Sequence, residues 1–344
     1  MRIKTGLAII ATIFLVLAVA PFRAADTLPA RFDDSAFWKM ISDSSEPDGH
    51  FTADFYTSNE PAYQAVIPQL AKSVAPGGVY VGVGPEQNFT YIAALRPKIA
   101  FIVDIRRDIM LEHLMYKALF EMSADRADFV GTLFSRKRPA DLTADSPVQT
   151  IFQAYASVRS DSELAEQNLK GILGRLKTVH RFALSDSDDA ILRTIYFEFF
   201  RWGPQISSEG PNYSALMMRT DTDGRNWSFL ASRDNYDRVR TMHEKNLIAP
   251  LVGDFAGPKT LRMVGQYLRD HAAIVNVFYV SNVEDYLSRS WTGWTANVAT
   301  LPIDSSSQFI RWSLYGGPSS SNWLDSISDF VRTGIRQQVP GVLR

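Results

Sequence analysis

The stretch that most constrains this chain runs from Gly77 to Arg107, GGVYVGVGPEQNFTYIAALRPKIAFIVDIRR. Val79, Tyr80, Val81 and Val83 form a short apolar, mostly β-branched run, the composition of a strand buried on both faces. Gly82 and Gly84 stand at G-x-G spacing. The first allows a tight turn, and the second lets backbone approach a ligand with no Cβ in the way. Pro85 suits the start of a helix, where its missing N–H costs nothing. Ala93, Ala94 and Leu95 complete that helix, and Arg96-Pro97 stops it. Ile99 to Ile105 (IAFIVDI) is a second strand with Asp104 at its carboxyl end. Asp104 lies roughly 20 residues past the glycines, where such folds place an acid for ribose hydroxyls. Strand, glycine turn, helix, strand and acid make the opening half of a nucleotide- or nucleoside-binding α/β domain.

The rest of the chain extends that pattern and interrupts it once. Leu111, Leu114, Met115, Ala118, Leu119 and Met122 recur at helical spacing after Asp104. His113, Tyr116 and Lys117 fall off that stripe and are expected at the surface. Asp125 to Ala144 is charged, and its cluster Arg136-Lys137-Arg138 reads as a solvated loop rather than a binding patch. From about Pro147 to Lys245 the α/β rhythm stops. Ser160 to Glu163 is a capping box opening a helix through Lys177, and a second amphipathic helix spans Asp188 to Phe200. Tyr213 to Arg219 and Asn226 to Leu230 flank Asp221-Thr222-Asp223-Gly224, which predicts a β-hairpin turn. A calcium loop there is set aside, because the EF-hand spacing is not completed and no Glu closes it. The alternation then resumes. Leu247 to Val252 is a strand, Pro258 opens a helix to Arg269, and Ala273 to Val280 is another strand. Phe309 to Leu314 is a late strand, and Trp323 to Arg336 a closing helix. The expected fold class is α/β: a doubly wound, mostly parallel sheet over residues 76–344, with a mixed helix/hairpin insertion at about 126–246. Residues 26–75 are a connector with helices, the clearest from Glu60 to Ser73.

The N-terminus has the pattern of a targeting segment. Arg2 and Lys4 precede Gly6 to Ala20, an uninterrupted apolar run of about 15 residues. Ala18-Val19-Ala20 has the small-residue cleavage pattern, but Pro21 follows it, and Arg23-Ala24-Ala25 is a poorer site. Residues 1–25 are therefore a signal peptide or an uncleaved anchor. Either form predicts an exported domain, periplasmic or tethered to the inner membrane, with membrane contact through this segment alone.

In open α/β sheets the ligand crevice lies beyond the carboxyl ends of the strands. Gly82 to Asn88, Asp104 to Arg107, Asp254 and Ser281 to Glu284 all lie just past such ends. These blocks, GVGPEQNFTYIAAL, FIVDIRRD, GDFAGPKTLR and FYVSNVEDYL, resemble the cofactor-binding half of class I S-adenosylmethionine-dependent methyltransferases. Together they are similar to a poorly characterised bacterial family assigned a methyltransferase-like fold. The resemblance covers most of the chain after Pro76. It implies a Rossmann-like fold and S-adenosylmethionine as a possible cofactor, and little about catalysis. Carried over, Gly82 and Gly84 match the glycine loop and Asp104 the ribose acid. Asp254 matches, more weakly, the acid near the adenine. Tyr80 stands where the acid before the first glycine is usual, Glu86 stands for the third glycine, and no Asn-Pro-Pro-Tyr motif is present.

Charge refines the ligand. A carboxylate from Glu86 at a helix amino end repels phosphate, which favours a neutral or cationic ligand such as a sulfonium over a dinucleotide. The same residue reads equally as a helix cap. Asn88 is a candidate turned into the crevice. Arg106 and Arg107 either clamp a carboxylate or phosphate or pair with Asp108 and Glu112. The net charge of -1 gives no reason to expect nucleic acid as partner. With 0 cysteines there is no disulfide, thiolate site or cysteine nucleophile. The five histidines lack ligand spacing, so no metal is expected. G-x-S-x-G and G-x-x-x-x-G-K are both absent. A small-molecule ligand is the expected partner. Export conflicts with a cytoplasmic cofactor, which leaves three readings: a fold that has lost methyl transfer and binds another ligand or a partner in the cell envelope, an active methyltransferase, or an enzyme of another class using the same crevice with Asp104, Glu86 or Asp254 as acid or base.

Overall fold

The computed structural model describes residues 25–51, 56–313 and 322–335. The apolar run Gly6 to Ala20 lies outside the described residues. Among those described, no helix is long and apolar enough to cross a membrane.

The N-terminal part supplies α1 (Asp34–Ser44), a 3-10 turn at Tyr63–Val66 and α2 (Ile67–Ser73). Then come β1 (Val79–Gly82), α3 (Gln87–Leu95), β2 (Ile99–Asp104) and α4 (Arg107–Met122). The segment before the next strand holds α5 (Arg126–Leu133), α6 (Val148–Ala156), α7 (Ser162–Gly174), α8 (Asp186–Trp202), α9 (Tyr213–Met218) and α10 (Arg233–Glu244). The chain continues through β3 (Ile248–Val252), α11 (Thr260–Asp270), β4 (Val275–Ser281), α12 (Trp291–Val298), β5 (Gln308–Arg311), β6 (Trp323–Ser326) and α13 (Ile327–Thr333).

The six strands form one sheet in the order β3-β2-β1-β4-β5-β6. β1 to β5 pair in parallel, and β6 closes the edge antiparallel to β5. Every residue of β1, β2 and β3 is buried, as strands covered on both faces require. The order places a topological switch point between β1 and β4, where a crevice is expected beyond the strand ends. The protein is thus α/β with a mostly parallel sheet.

Several expectations need correction. Tyr213–Met218 is a helix and Asn226 to Leu230 is not a strand, so there is no β-hairpin and the described insertion is helical. The Asp221 carboxylate accepts from the N–H groups of Asp223 and Arg225, closing a local turn instead. Asp161, not Ser160, caps α7. Residues 126–133 form a helix, while Arg136-Lys137-Arg138 follows it in a loop with Lys137 exposed and Arg138 paired with Asp125 at 3.0 Å. Trp323–Ser326 is a strand, and the closing helix begins at Ile327. His113, Tyr116 and Lys117 are buried, not at the surface. The apolar stripe of α4 accounts only for the side facing the sheet; α7, α8 and α10 cover the other sides. Lys117 is satisfied there by Glu121 at 2.7 Å and the His243 carbonyl at 2.5 Å.

The far edge is held by a buried ion group. Arg311, fully buried on β5, donates to Glu284 at 2.7 and 3.0 Å and also to Asp325 on β6. Removing one partner of such a group leaves an uncompensated buried charge. Arg311→Ala is expected to cost about 3–5 kcal/mol in urea unfolding. A loss below about 1 kcal/mol would place the pair among weak, solvated bridges.

Candidate functional site

The glycine loop and the acid of β2 meet at the carboxyl edge. Gly84 donates its N–H to Asp104 Oδ2 at 3.2 Å, and Asp104 Oδ1 accepts from the Arg106 N–H at 3.0 Å. The roles of the two glycines are the reverse of the expected ones. Gly84 is the turn residue, with φ of +73°. Gly82 permits close approach, but to the chain itself: a Cβ there would lie 2.0 Å from Asn88 Oδ1.

Asn88 does not reach the crevice. It is fully buried, accepts from the Tyr80 hydroxyl at 2.8 Å, and donates to the carbonyls of Val83, Gly84 and Pro85. His113 Nε2 lies 2.9 Å from the Gly84 carbonyl, and burial pushes this imidazole down to about 4. Two buried side chains thus lock the loop from beneath. Neither was singled out for that role: Asn88, just past a strand end, reads most simply as a ligand contact, and His113, off the apolar stripe of α4, as a surface residue.

Glu86 is also turned inward. It is fully buried, and both its oxygens lie 3.2–3.3 Å from the Ser58 N–H. In return Ser58 Oγ accepts from the Gln87 N–H at 3.3 Å, capping α3 from a distant part of the chain. The same device recurs along the edge. Asp48 Oδ1 accepts from the Arg107 N–H at 2.7 Å, at the amino end of α4. Glu46 Oε1 accepts from Lys259 and Thr260 N–H at 2.8 and 3.0 Å, at the amino end of α11, and Oε2 takes the Asp254 N–H at 3.1 Å. Gly257 makes room, since a Cβ there would lie 2.4 Å from Glu46 Oε2. Asp254 itself accepts from the Ala256 N–H at 2.8 Å, which closes the turn after β3.

Beyond β2 the edge opens into a cleft of about 400 Å³. Asp48 and His50 line one wall, Arg106 and Asp108 the floor, and Tyr56 and Thr194 the other side. Arg106 is nearly buried, 3.8 Å from Asp104 and 3.5 Å from Asp108. Burial raises the Asp104 carboxyl, and the neighbouring Arg106 opposes that rise. Arg107 turns away to Asp188, at 2.7 and 3.0 Å. Of the seven expected site residues, Gly84, Asp104 and Arg106 meet at this edge. Gly82, Glu86 and Asn88 support it from inside, and Asp254 stands past the end of β3.

At the switch point sits a residue that sequence reasoning missed. Glu60 is buried between β1 and β4, and four side chains donate to it. Oε1 takes the hydroxyls of Tyr279 at 2.7 Å and Ser281 at 2.5 Å; Oε2 takes the Gln87 amide at 2.8 Å and the Asn322 amide. A lone acid in the polar run Ser58-Asn59-Glu60-Pro61 carries no signal of such burial. Among the described residues, no group of three or more His, Asp and Glu side chains is placed to hold a metal ion.

Burial lifts Glu86 from 4.5 to about 8, with only the Ser58 and Glu86 backbone N–H groups opposing it. The folded carboxyl therefore keeps its proton longer than the unfolded one. Its contribution to stability is full below pH 4.5 and is lost as pH rises through about 8. The unfolding free energy of the wild type is expected to fall, relative to Glu86→Gln, across that window. Parallel pH profiles for the two proteins would show that Glu86 titrates normally.

No curated protein matches the chain. A family model does. It is described as a domain of unknown function, DUF7790, and it matches residues 55–322. The match takes in Ser58 and Glu60 at one end and closes on Asn322 at the other, while α1, Glu46 and Asp48 precede it. It covers most of the protein, and the chain belongs to the DUF7790 family.

Proposed function

We propose that this protein is a Rossmann-like α/β domain of the cell envelope that binds a nucleoside-type small molecule in the cleft beyond β2. The observation that carries the reading is the Gly84 N–H to Asp104 contact at 3.2 Å, which brings the glycine loop and the ribose-type acid together beside that cleft. The strand order supports it, because β3-β2-β1-β4-β5-β6 is the order of doubly wound nucleotide-binding sheets. Volume supports it too, since about 400 Å³ lies within the range of small-molecule sites. Arg106 beside Asp108 and Asp48 suits a ligand carrying both signs of charge.

S-adenosylmethionine is the cofactor that the methyltransferase resemblance implies, and the residues fit it only in part. Asp104 stands next to the cleft-lining Arg106, with both its oxygens accepting from the backbone N–H groups of Gly84 and Arg106. The amino end of α3 is closed by Ser58 and Glu86, and Glu60 fills the switch point with its four donors. A cofactor laid across the glycine loop toward α3 does not fit that arrangement, so no methyl-transfer step is derived. The reading assigns binding, with Arg106 and Asp108 as the contacts and Asp104 holding the loop and Arg106 beside them. The leader motivates the envelope location.

Calorimetry on the full chain with adenosine, S-adenosylhomocysteine and S-adenosylmethionine tests the ligand. Binding of at least one is expected, weakened about tenfold or more by Asp108→Asn, the loss of one charge-assisted hydrogen bond. Absence of heat from all three at millimolar concentration overturns the reading. A reporter fused after residue 30 tests the location, and signal confined to the cytoplasm overturns it.

A further inference from the structure

Ser281 closes β4 in an unusual conformation. Its φ is +51°, in the left-handed region. Among the described residues six other non-glycine positions share a positive φ, and each follows a helical turn or sits in a loop; Ser281 alone lies on a strand. The β4–β5 register shifts between Tyr279 and Ser281, so the residue also sits on a bulge. Its carbonyl is pinned by the Trp312 N–H at 2.9 Å. Strain of this kind persists only where the surroundings impose it, and bulges at strand ends serve to re-aim side chains. Here the re-aimed group is a hydroxyl, half-buried at the crevice side of the sheet, 2.5 Å from Glu60 Oε1.

Glu60 is held as a base must be. Tyr279, Gln87 and Asn322 fix both its oxygens from three separate parts of the fold, so its position does not depend on Ser281. Strand, strained serine and the following 3-10 turn at Val283–Tyr286 reproduce the strand-to-helix elbow that presents a nucleophile. The G-x-S-x-G motif is absent, since Tyr279 and Val283 stand at the glycine positions. The Asn282 Oδ1 oxygen, 3.3 Å away, is a second acceptor facing the Ser281 hydroxyl.

We propose that Ser281 is a nucleophile and Glu60 its general base, in a site that hydrolyses a carboxylic ester. Ser281 Oγ attacks the carbonyl carbon while its proton passes to Glu60 Oε1. The tetrahedral adduct collapses, the carbon–oxygen bond to the leaving alcohol breaks, and that oxygen takes the proton from Glu60. Water then attacks the acyl-serine, gives a proton to Glu60, and releases the carboxylic acid as the proton returns to Ser281. An ester suits the pair better than an amide, because a carboxyl is a weaker base than imidazole and an alkoxide leaves more readily than an amine anion. The site stands at the β4 end and does not depend on ligand binding in the cleft beyond β2.

The full chain is treated with an alkyl fluorophosphonate, a reagent that phosphonylates activated serines, and the adduct is mapped by mass spectrometry. One adduct is expected, on Ser281, and Ser281→Ala removes it. Glu60→Gln, folded by circular dichroism, is expected to label at least 100-fold more slowly, the lower bound for loss of a general base. The wild-type rate is expected to fall at acid pH as Glu60 is protonated, which decides the matter if Glu60→Gln does not fold. Short-chain aryl esters are expected to be hydrolysed by the wild type and not by Ser281→Ala. No adduct on Ser281 at millimolar reagent, an unchanged rate in folded Glu60→Gln, or a rate flat from pH 5 to 9 overturns the proposal.

Discussion

Helix amino ends must find acceptors, and in this protein one segment supplies them along a whole edge of the sheet. Glu46 serves α11 after β3, Asp48 serves α4 after β2, and Ser58 serves α3 after β1. Glu60 then reaches β4. Glu46, Asp48, Ser58 and Glu60 therefore meet the sheet in its spatial order, β3-β2-β1-β4, one polar side chain at each strand. Bare N–H groups at such ends are the usual reason that α/β sheets bind phosphate there. Here they are satisfied from within, by oxygens whose loss leaves buried donors unpaired at a cost of about 1–3 kcal/mol each. Glu46 and Asp48 precede the part of the chain that matches the family, and Ser58 and Glu60 fall inside it.

That arrangement explains why the sheet was legible and its edge was not. β1, β2, β3 and β4 are buried runs of Val, Ile, Phe and Tyr between turn residues, and such runs have no competing reading at that length. Asp104 was found because its distance from the glycines is set by the βαβ unit itself. Glu60 and Ser58 have no such ruler. They reach α3 and β4 across long sequence separations, and local patterning assigns an isolated acid to solvent. The same limit governs α4. Its stripe toward the sheet was visible, but the cover over its other faces comes from α7, α8 and α10, and no local signal announced it. Trp323–Ser326 reads as helix alone and becomes strand because β5 offers it an open edge.

Burial raises all three buried acids of this region, and they differ in the donors that oppose the rise. Glu86 has little more than the Ser58 N–H near it and moves up to about 8. Glu112, buried on α4 with no hydrogen-bond partner at either carboxyl oxygen, moves in the same direction. Burial favours the protonated form of both, which lets them sit inside the fold without counter-charges. Glu60 is also raised by burial, yet four donors pull against that rise. Hydroxyl contacts of 2.5 and 2.7 Å are in the range of bonds to an ionised carboxylate. Of the three, Glu60 has the most side-chain donors opposing the rise.

With the helix amino ends closed, chemistry at this edge falls to side chains. Two places remain: the Arg106–Asp108 cleft beyond β2 and the Ser281 hydroxyl beyond β4. They make different demands on location. A nucleoside-type cofactor must be supplied by the compartment, whereas a serine and a carboxylate need only substrate and water. A strained residue at a strand end can do cofactor-independent work wherever the sheet resides. In this chain the strained residue lies at the switch point, beside the most heavily hydrogen-bonded acid of the edge. That placement follows from the topology: between β1 and β4 the connections diverge, and the space they leave is where buried polar groups from four parts of the chain can meet.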